Sequence, residues 1–338
     1  MATIRTVAGR AGVSVMTVSR VFNQPDSVAE GTRAKVLVAA RELRFVPDQR
    51  ARTMRLGRSG VVGLLTDVME ATPCSVDIVQ SVEGALATRG MSLLIGNSQT
   101  RTGGSFAILQ SFHASRVEGV IFAATFHREV EALDHLPMPG VLVNCFTRPS
   151  RLPSVLPEEE GGGHAVGLHL IGLGHRRVAY LTLATGIEAT RLRQAGLIRA
   201  FREAGLSFPE DLIAPGQSGT GAFDRGEAFA AATRLLGNHH PTAVFCGNDE
   251  MAMQVYNAAA RIGLSIPRDL SVVGFDDHRV FSEGLMPALT TVALPYEQMG
   301  RIAVDLLAEA IDGRSTAKAV RVQGPLVERA STAPAAGG

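Results

Sequence analysis

The sequence predicts an α/β protein, a small three-helix head ahead of a body of two doubly wound, largely parallel sheets. Three observations predict it. After residue 60, two successive series of short apolar runs alternate with amphipathic stretches. Before residue 46, helix start and stop residues punctuate three short segments. Charge also separates between these parts: residues 1–60 hold 11 Lys/Arg against 4 Asp/Glu, leaving 22 against 28 from the chain's totals of 33 and 32.

The first two predicted helices have the punctuation of a helix-turn-helix. Thr6–Ala11 is helix-friendly and stops at Gly12, and Ser14 is placed to cap a second helix from Val15 through Phe22. Ala8 is small where the helices must cross, and Gly12, four residues on, suits a tight turn of positive φ. Val13 and Val18 are expected to point inward. Val15, Met16 and Thr17, with Arg20 one turn later, are left on the outward face. Such a face fits the major groove of a duplex, where Arg pairs with guanine and apolar groups touch thymine methyls. After the loop Asn23–Ser27, a third helix is expected from about Thr32 to Leu43, with Val36, Ala40 and Leu43 at helical spacing.

In the body the candidate strands are Val61–Leu65, Leu93–Gly96, Gly119–Phe122 and Gly140–Val143. Val178–Leu181, Ala243–Cys246 and Ser271–Gly274 follow after Pro157. Sheets of this kind bind ligands outside the carboxyl ends of their strands. Asp67, Asn144, Asn248-Asp249 and Asp276-Asp277 stand at such ends, and Arg193 lies near the start of the helix after Val178–Leu181. Each Asp or Asn alone reads as a helix cap before it reads as a ligand group. Together, Asp67, Asn144, Arg193, Asn248 and Asp276 suit a polyhydroxylated ligand held by paired hydrogen bonds.

Other chemistries find little support. Gly161-x-Gly163 with Gly167 imitates a dinucleotide loop but follows Pro157-Glu-Glu-Glu rather than a strand. His164/His169 and His239-His240 lack metal-ligand spacing, and no Ser sits in a Gly-x-Ser-x-Gly elbow. No catalytic constellation, cofactor or metal is therefore expected. Cys74, Cys145 and Cys246 read as reduced core thiols. The first residues lack a signal-peptide layout, and no uncharged apolar run approaches bilayer-spanning length, so a cytoplasmic protein is expected.

The head segments Ala8–Ser14 and Thr17–Val21 with Asn23, followed by Thr32-Arg33, Val36, Glu42-Leu43 and Phe45-Val46-Pro47, resemble the LacI/GalR family of bacterial regulators. The resemblance continues through Leu173–Ala179, Asn248-Asp249-x-Met251-Ala252, Val273–Asp277, Pro287-x-Leu289-Thr290-Thr291 and Arg329-x-Ser331-Thr332. It implies a two-lobed, periplasmic-binding-protein-like body and a homodimer that presents two heads to a palindromic double-stranded operator. Base contact falls to Val15, Met16 and Arg20, and phosphate proximity to Thr17 and Ser19. Residues 47–59 correspond to a hinge that orders on the operator, with Met54 at the position of a minor-groove wedge. The expected division is 1–46, 47–59 and 60–338, the last with lobes of about 60–158 and 159–287 and a C-terminal crossover 288–338.

In sugar-responsive members of that family the effector is gripped at positions matching Arg193, Asn248 and Asp276. This chain departs in having Asn144 where some members have Asp, and Glu158-Glu159 for the usual Asp-Asn. Thr6 replaces an Asp and Ala29 a capping Ser, each expected to loosen a helix start by ~1 kcal/mol. Purine-responsive members share the Arg and Asp but stack a base on aromatics in the region of Thr72-Pro73, which favours a carbohydrate effector here. The expectation is thus a repressor whose operator affinity is set allosterically by a small molecule, not an enzyme. The alternatives are a purine-type corepressor-dependent regulator, or a sugar-binding transport receptor, which the basic head and missing signal peptide disfavour.

Overall fold

The computed structural model describes residues 2–45, 58–67, 74–98, 104–130, 136, 138–149, 151–219, 224–314 and 316–335. The hinge expected at 47–59, with Met54, lies almost wholly outside them, and so does Thr72-Pro73. The chain divides into two compact units, Met1–Ser59 and Gly60–Gly338.

Among the described residues the head has three helices, α1 (Ile4–Ala11), α2 (Val15–Asn23) and α3 (Glu30–Glu42). Thr3 caps α1, and Thr6 returns the bond to the Thr3 backbone, a reciprocal capping box. The loosening expected at Thr6 is therefore corrected, because its hydroxyl does the work of the carboxylate. Ala29, in contrast, gives α3 no side-chain cap. Gly12 sits at φ 66° and its N–H bonds back to Ala8, closing α1 before Ser14 opens α2. Val7, Ala8, Val18, Val21, Val36, Ala39 and Ala40 form the core, with Val13 and Leu43 packed against it.

In the body, β1 (Val61–Thr66), β2 (Ser92–Asn97), β3 (Val120–Glu129), β4 (Gly140–Phe146), β5 (Ser154–Pro157) and β11 (Ala319–Val322) form one sheet, ordered β11-β5-β4-β3-β1-β2 and parallel throughout. Helices α4 (Cys74–Ala87) and α11 (Tyr296–Ile311) bury Ile78, Val82, Met299 and Leu307 on one face. Ile108 and Phe112 of α5 (Gly104–Ala114) cover the other. The second sheet is β12-β10-β9-β8-β6-β7, built from β6 (Val178–Thr182), β7 (Ile213–Pro215), β8 (Ala243–Cys246), β9 (Ser271–Asp276), β10 (Thr290–Ala293) and the antiparallel edge strand β12 (Leu326–Val327). Strand alternation sends Val178 and Tyr180 toward α6 (Glu159–Gly172) and α7 (Glu188–Glu203). Ala179 and Leu181 face α8 (Arg225–His239) and α9 (Asp249–Arg261). A single turn, α10 (Arg279–Ser282), follows β9.

The chain passes between the sheets three times: after β5, after β10 and after β11. The second lobe runs on past 287 to take in β10, and the C-terminal segment serves both sheets. Sequence reading missed β5, β7, β10, β11 and β12; each is four residues or fewer, as is β8, which its wholly apolar run Ala243–Cys246 still marked.

The glycines that imitated a dinucleotide loop have a packing role. A Cβ on Gly163 would strike the Arg193 carbonyl, one on Gly196 the Glu160 carbonyl, and one on Gly167 would lie 2.5 Å from the Ala200 methyl. Their absence lets α6 and α7 cross at backbone contact, which fixes Glu159 beside Arg193. Gly163→Ala should lower stability by ~1–3 kcal/mol in urea denaturation. Gly237→Ala, where the new methyl meets open space, should be neutral or stabilising by up to ~1 kcal/mol.

Candidate DNA-reading and effector sites

On the head, Val15 is 42% and Met16 63% exposed. Two apolar side chains in water at the start of a helix form a contact surface awaiting something apolar, such as thymine methyls. Arg20 is exposed one turn later. Thr17 and Ser19 are half-buried, and the Thr17 hydroxyl shares a 2.9 Å hydrogen bond with Ser14 at the helix cap.

In the body, the carboxyl ends of the two sheets face a cavity of about 20 Å³, lined from the first lobe by Thr125, Phe126, His127 and Asn144. Arg193, Asn248, Asp249 and Asp276 line it from the second, with Leu294 and Tyr296 from the crossing segment. Such a volume admits about one water molecule, so a sugar-sized ligand requires the lobes to part.

Local backbone devices aim these groups. The pairing of β3 with β4 slips between Ala123 and Arg128, which frees the strand from its ladder at Thr125–His127. Asn144 sits at φ 57° and Asp276 at φ 111°, in a region Asn and Asp tolerate better than most side chains. Asn144 donates to the carbonyls of Ala124 and Thr125 at 3.0 and 3.2 Å, while its Oδ1 is buried without a partner. Asn248 caps α9 by accepting from the Met251 N–H at 2.8 Å. The cap and pocket readings of this residue both describe it.

Arg193 is 3% exposed. Its Nε donates to Glu159 Oε2 at 2.6 Å, its Nη1 donates to the Gly247 carbonyl, and its guanidinium lies 3.6 Å over the Phe275 ring. Nη2 is 3.9 Å from Asp276 Oδ1. Burial disfavours the Arg193 charge, but Glu159 and then Asp276 hold it firmly protonated. Burial alone would raise the Glu159 carboxyl; Arg193 reverses this and brings it down to about 2. Burial raises Asp276 to about 7, with Arg193 opposing and Glu159 and Glu250 adding to the rise. Burial likewise pushes Asp249 well above the usual carboxylate range; it accepts from the Thr291 hydroxyl and the His278 N–H.

Of the five residues expected to converge, Asn144, Arg193, Asn248 and Asp276 line the cavity and Asp67 does not. Asp67 accepts from the Thr125 N–H and hydroxyl and from Arg128 at 2.9 Å. Those donors draw its carboxylate along the first lobe, so its expected role in the pocket is corrected to bracing the Thr125 segment. Asp277 is likewise spent on Ser282 and Arg329. Two residues escaped sequence reading. His127 was unforeseen because β3 was expected to end at Phe122. Glu159 was noted only as a departure before the glycines.

Among the described residues no helix is long and apolar enough to cross a membrane, and no cluster of three His, Cys, Asp or Glu has metal-holding geometry. Cys145 and Cys246 are free and buried. His164 pairs with Glu203 at 2.7 Å and His169 with Thr332 at 3.0 Å.

A capped helix pair with an exposed reading face, ahead of a two-lobed body with a cleft, defines a DNA-binding regulator of the effector-controlled class. Residues 3–48 match the model of the bacterial regulatory proteins of the lacI family, and residues 168–332 that of the periplasmic binding protein-like domain. The HTH-type transcriptional repressor PurR of Erwinia tasmaniensis is 34% identical over 98% of this chain and 97% of its own. The lac repressor dimer bound to operator and the anti-inducer ONPF has a TM-score of 0.76 at 27% identity, covering 98% of this chain and 99% of that one. The transcriptional regulator CelR in complex with cellobiose has a TM-score of 0.70 at 29% identity, with 98% and 100% covered. This chain belongs to the LacI family. It is a DNA-binding transcription regulator with a ligand-binding body.

The Asp276 carboxyl gives the body a measurable pH dependence. Its folded value of about 7 lies above the ordinary aspartate value of 3.8, so between the two the folded state holds a proton the unfolded chain has lost. The stability this adds is complete below the unfolded value and disappears as pH rises through the folded one. In denaturation titrations from about pH 5 to about pH 8, wild type should lose stability relative to Asp276→Asn. Parallel curves would contradict the assignment.

Proposed function

We propose that the protein is a homodimeric, cytoplasmic transcription repressor that reads a palindromic operator with α2. A sugar or sugar derivative bound between the lobes of the body controls its grip. The observation that carries this reading is the meeting of Asn144 from one lobe with Arg193, Asn248 and Asp276 from the other around a single cavity. An amide, a guanidinium and a carboxyl converging this way suit the vicinal hydroxyls of a carbohydrate. Ligand that changes the distance between lobes shifts the balance of two body states, and through residues 47–59 the ordering of the heads. Exposed Val280 and Met286 supply apolar surface of the kind that pairs two copies. A nucleobase is the second reading, favoured by the ring of Phe126 in the lining.

Full-length protein tested against duplexes enriched from a random pool tests the reading. Met16→Ala and Arg20→Ala should each weaken binding to the selected duplex by ~1–3 kcal/mol and barely affect random competitor. Met54→Ala should cost more on the selected duplex than on competitor in salt-matched titrations. Absence of any duplex preference, with or without sugars and nucleobases, would sink the reading.

A further inference from the structure

We propose that His127 and Glu159 extend the effector site and set its charge preference, so that it takes uncharged, hydroxyl-rich ligands and rejects sugar acids. This rests on the effector reading of the cavity. His127 contacts ligand. Glu159 is a positioning residue that acts through Arg193.

Arg193 is what a carboxylate ligand would seek, since a guanidinium offers parallel donors to two oxygens. Here that fork is committed: Nε to Glu159, Nη1 to the Gly247 carbonyl, and one face to the Phe275 ring. The Nη2 edge remains, and Asp276 stands 3.9 Å from it. The charges also cancel. Glu159 neutralises Arg193, and among the described residues no second Lys or Arg lines the cavity. An anionic ligand would lose its water shell without meeting net positive charge.

The unpartnered atoms point the other way. Both His127 ring nitrogens, Asn144 Oδ1 and Glu159 Oε1 are buried without a hydrogen-bond partner. His127 and Glu159 are each 1% exposed. His127 Nδ1 lies 3.6 Å from Glu159 Oε1, beyond hydrogen-bond reach. Buried polar atoms are seldom left this way. Of these residues His127 and Asn144 line the cavity; an amide oxygen and an imidazole, which in its neutral form offers one donor and one acceptor, match ligand hydroxyls that both donate and accept.

The test uses full-length protein, scanning fluorimetry and calorimetry. The probes are glucose, galactose, xylose and cellobiose, set against gluconate, glucuronate and galacturonate. Wild type should bind a neutral probe and none of the acids. Glu159→Gln keeps the side-chain shape but frees charge on Arg193, and should gain roughly tenfold or more for an acid. His127→Ala should lose roughly tenfold for the neutral probe, with the circular dichroism of the fold retained. An acid bound by wild type as well as its neutral counterpart overturns the inference. So does a folded Glu159→Gln with no gain for any acid, whatever the neutral probes do. If no neutral probe binds but Glu159→Gln gains an acid, the carbohydrate reading falls and the charge gate stands. If neutral probes bind wild type and His127→Ala equally, His127 is not a contact.

Discussion

The body is organised around a buried cation. A guanidinium at 3% exposure costs several kcal/mol to desolvate, and removing its partner would leave an uncompensated charge, a loss of about 3–5 kcal/mol. Arg193 is held there by a carboxylate, a carbonyl and an aromatic face together. That face belongs to a stack that continues from Phe275 through Phe245 to Tyr180 beneath the second sheet. In a chain with only 5% aromatic residues, this grouping makes a rigid floor. The pair itself exists because glycines let α6 and α7 touch backbone to backbone. Packing of two helices thus sets the electrostatics of the cleft.

Around this fixed point the first lobe contributes groups through irregular backbone. The slipped register of β3 and the left-handed Asn144 turn side chains toward the cleft that regular strands would send into the sheet faces. Asp67 then braces the freed segment through Thr125 and Arg128. Three chain passages join the lobes, and Glu159 begins the helix just after the first of them. The cavity between His127 and Arg193 therefore lies close to a segment that joins the two lobes.

The head solves a different problem with few residues. Seven buried side chains form its centre, a Phe22–Phe45 pair 5.8 Å apart closes one end, and an Arg10–Glu42 ion pair at 2.6 Å joins α1 to α3. Hydroxyl caps and Gly12 stop and start its helices within four residues, so the reading helix is held by local geometry more than by a large core. This leaves Val15 and Met16 exposed to water at the start of α2.

Local chemistry made much of this legible in advance. Capping residues, Gly12 and apolar periodicity located the head's helices, since the forces that start and stop a helix act within one turn. Apolar runs located the long central strands for a similar reason: burial on both faces writes itself into consecutive residues. Strand ends then pointed to Asn144, Asn248 and Asp276, and the helix after Val178–Leu181 to Arg193. What the tertiary structure alone decided was which polar group meets which. Asp67 stands at a strand end like the others, yet Arg128 and Thr125 claim it; Glu159 is one of three consecutive acids, and only the fold shows it buried against Arg193. The edge strands and the register slip that places His127 at the cavity were equally hidden. Such pairings join residues as far apart as 61 positions, and no local pattern encodes them, because they follow from how closely helices approach and where a strand leaves its ladder.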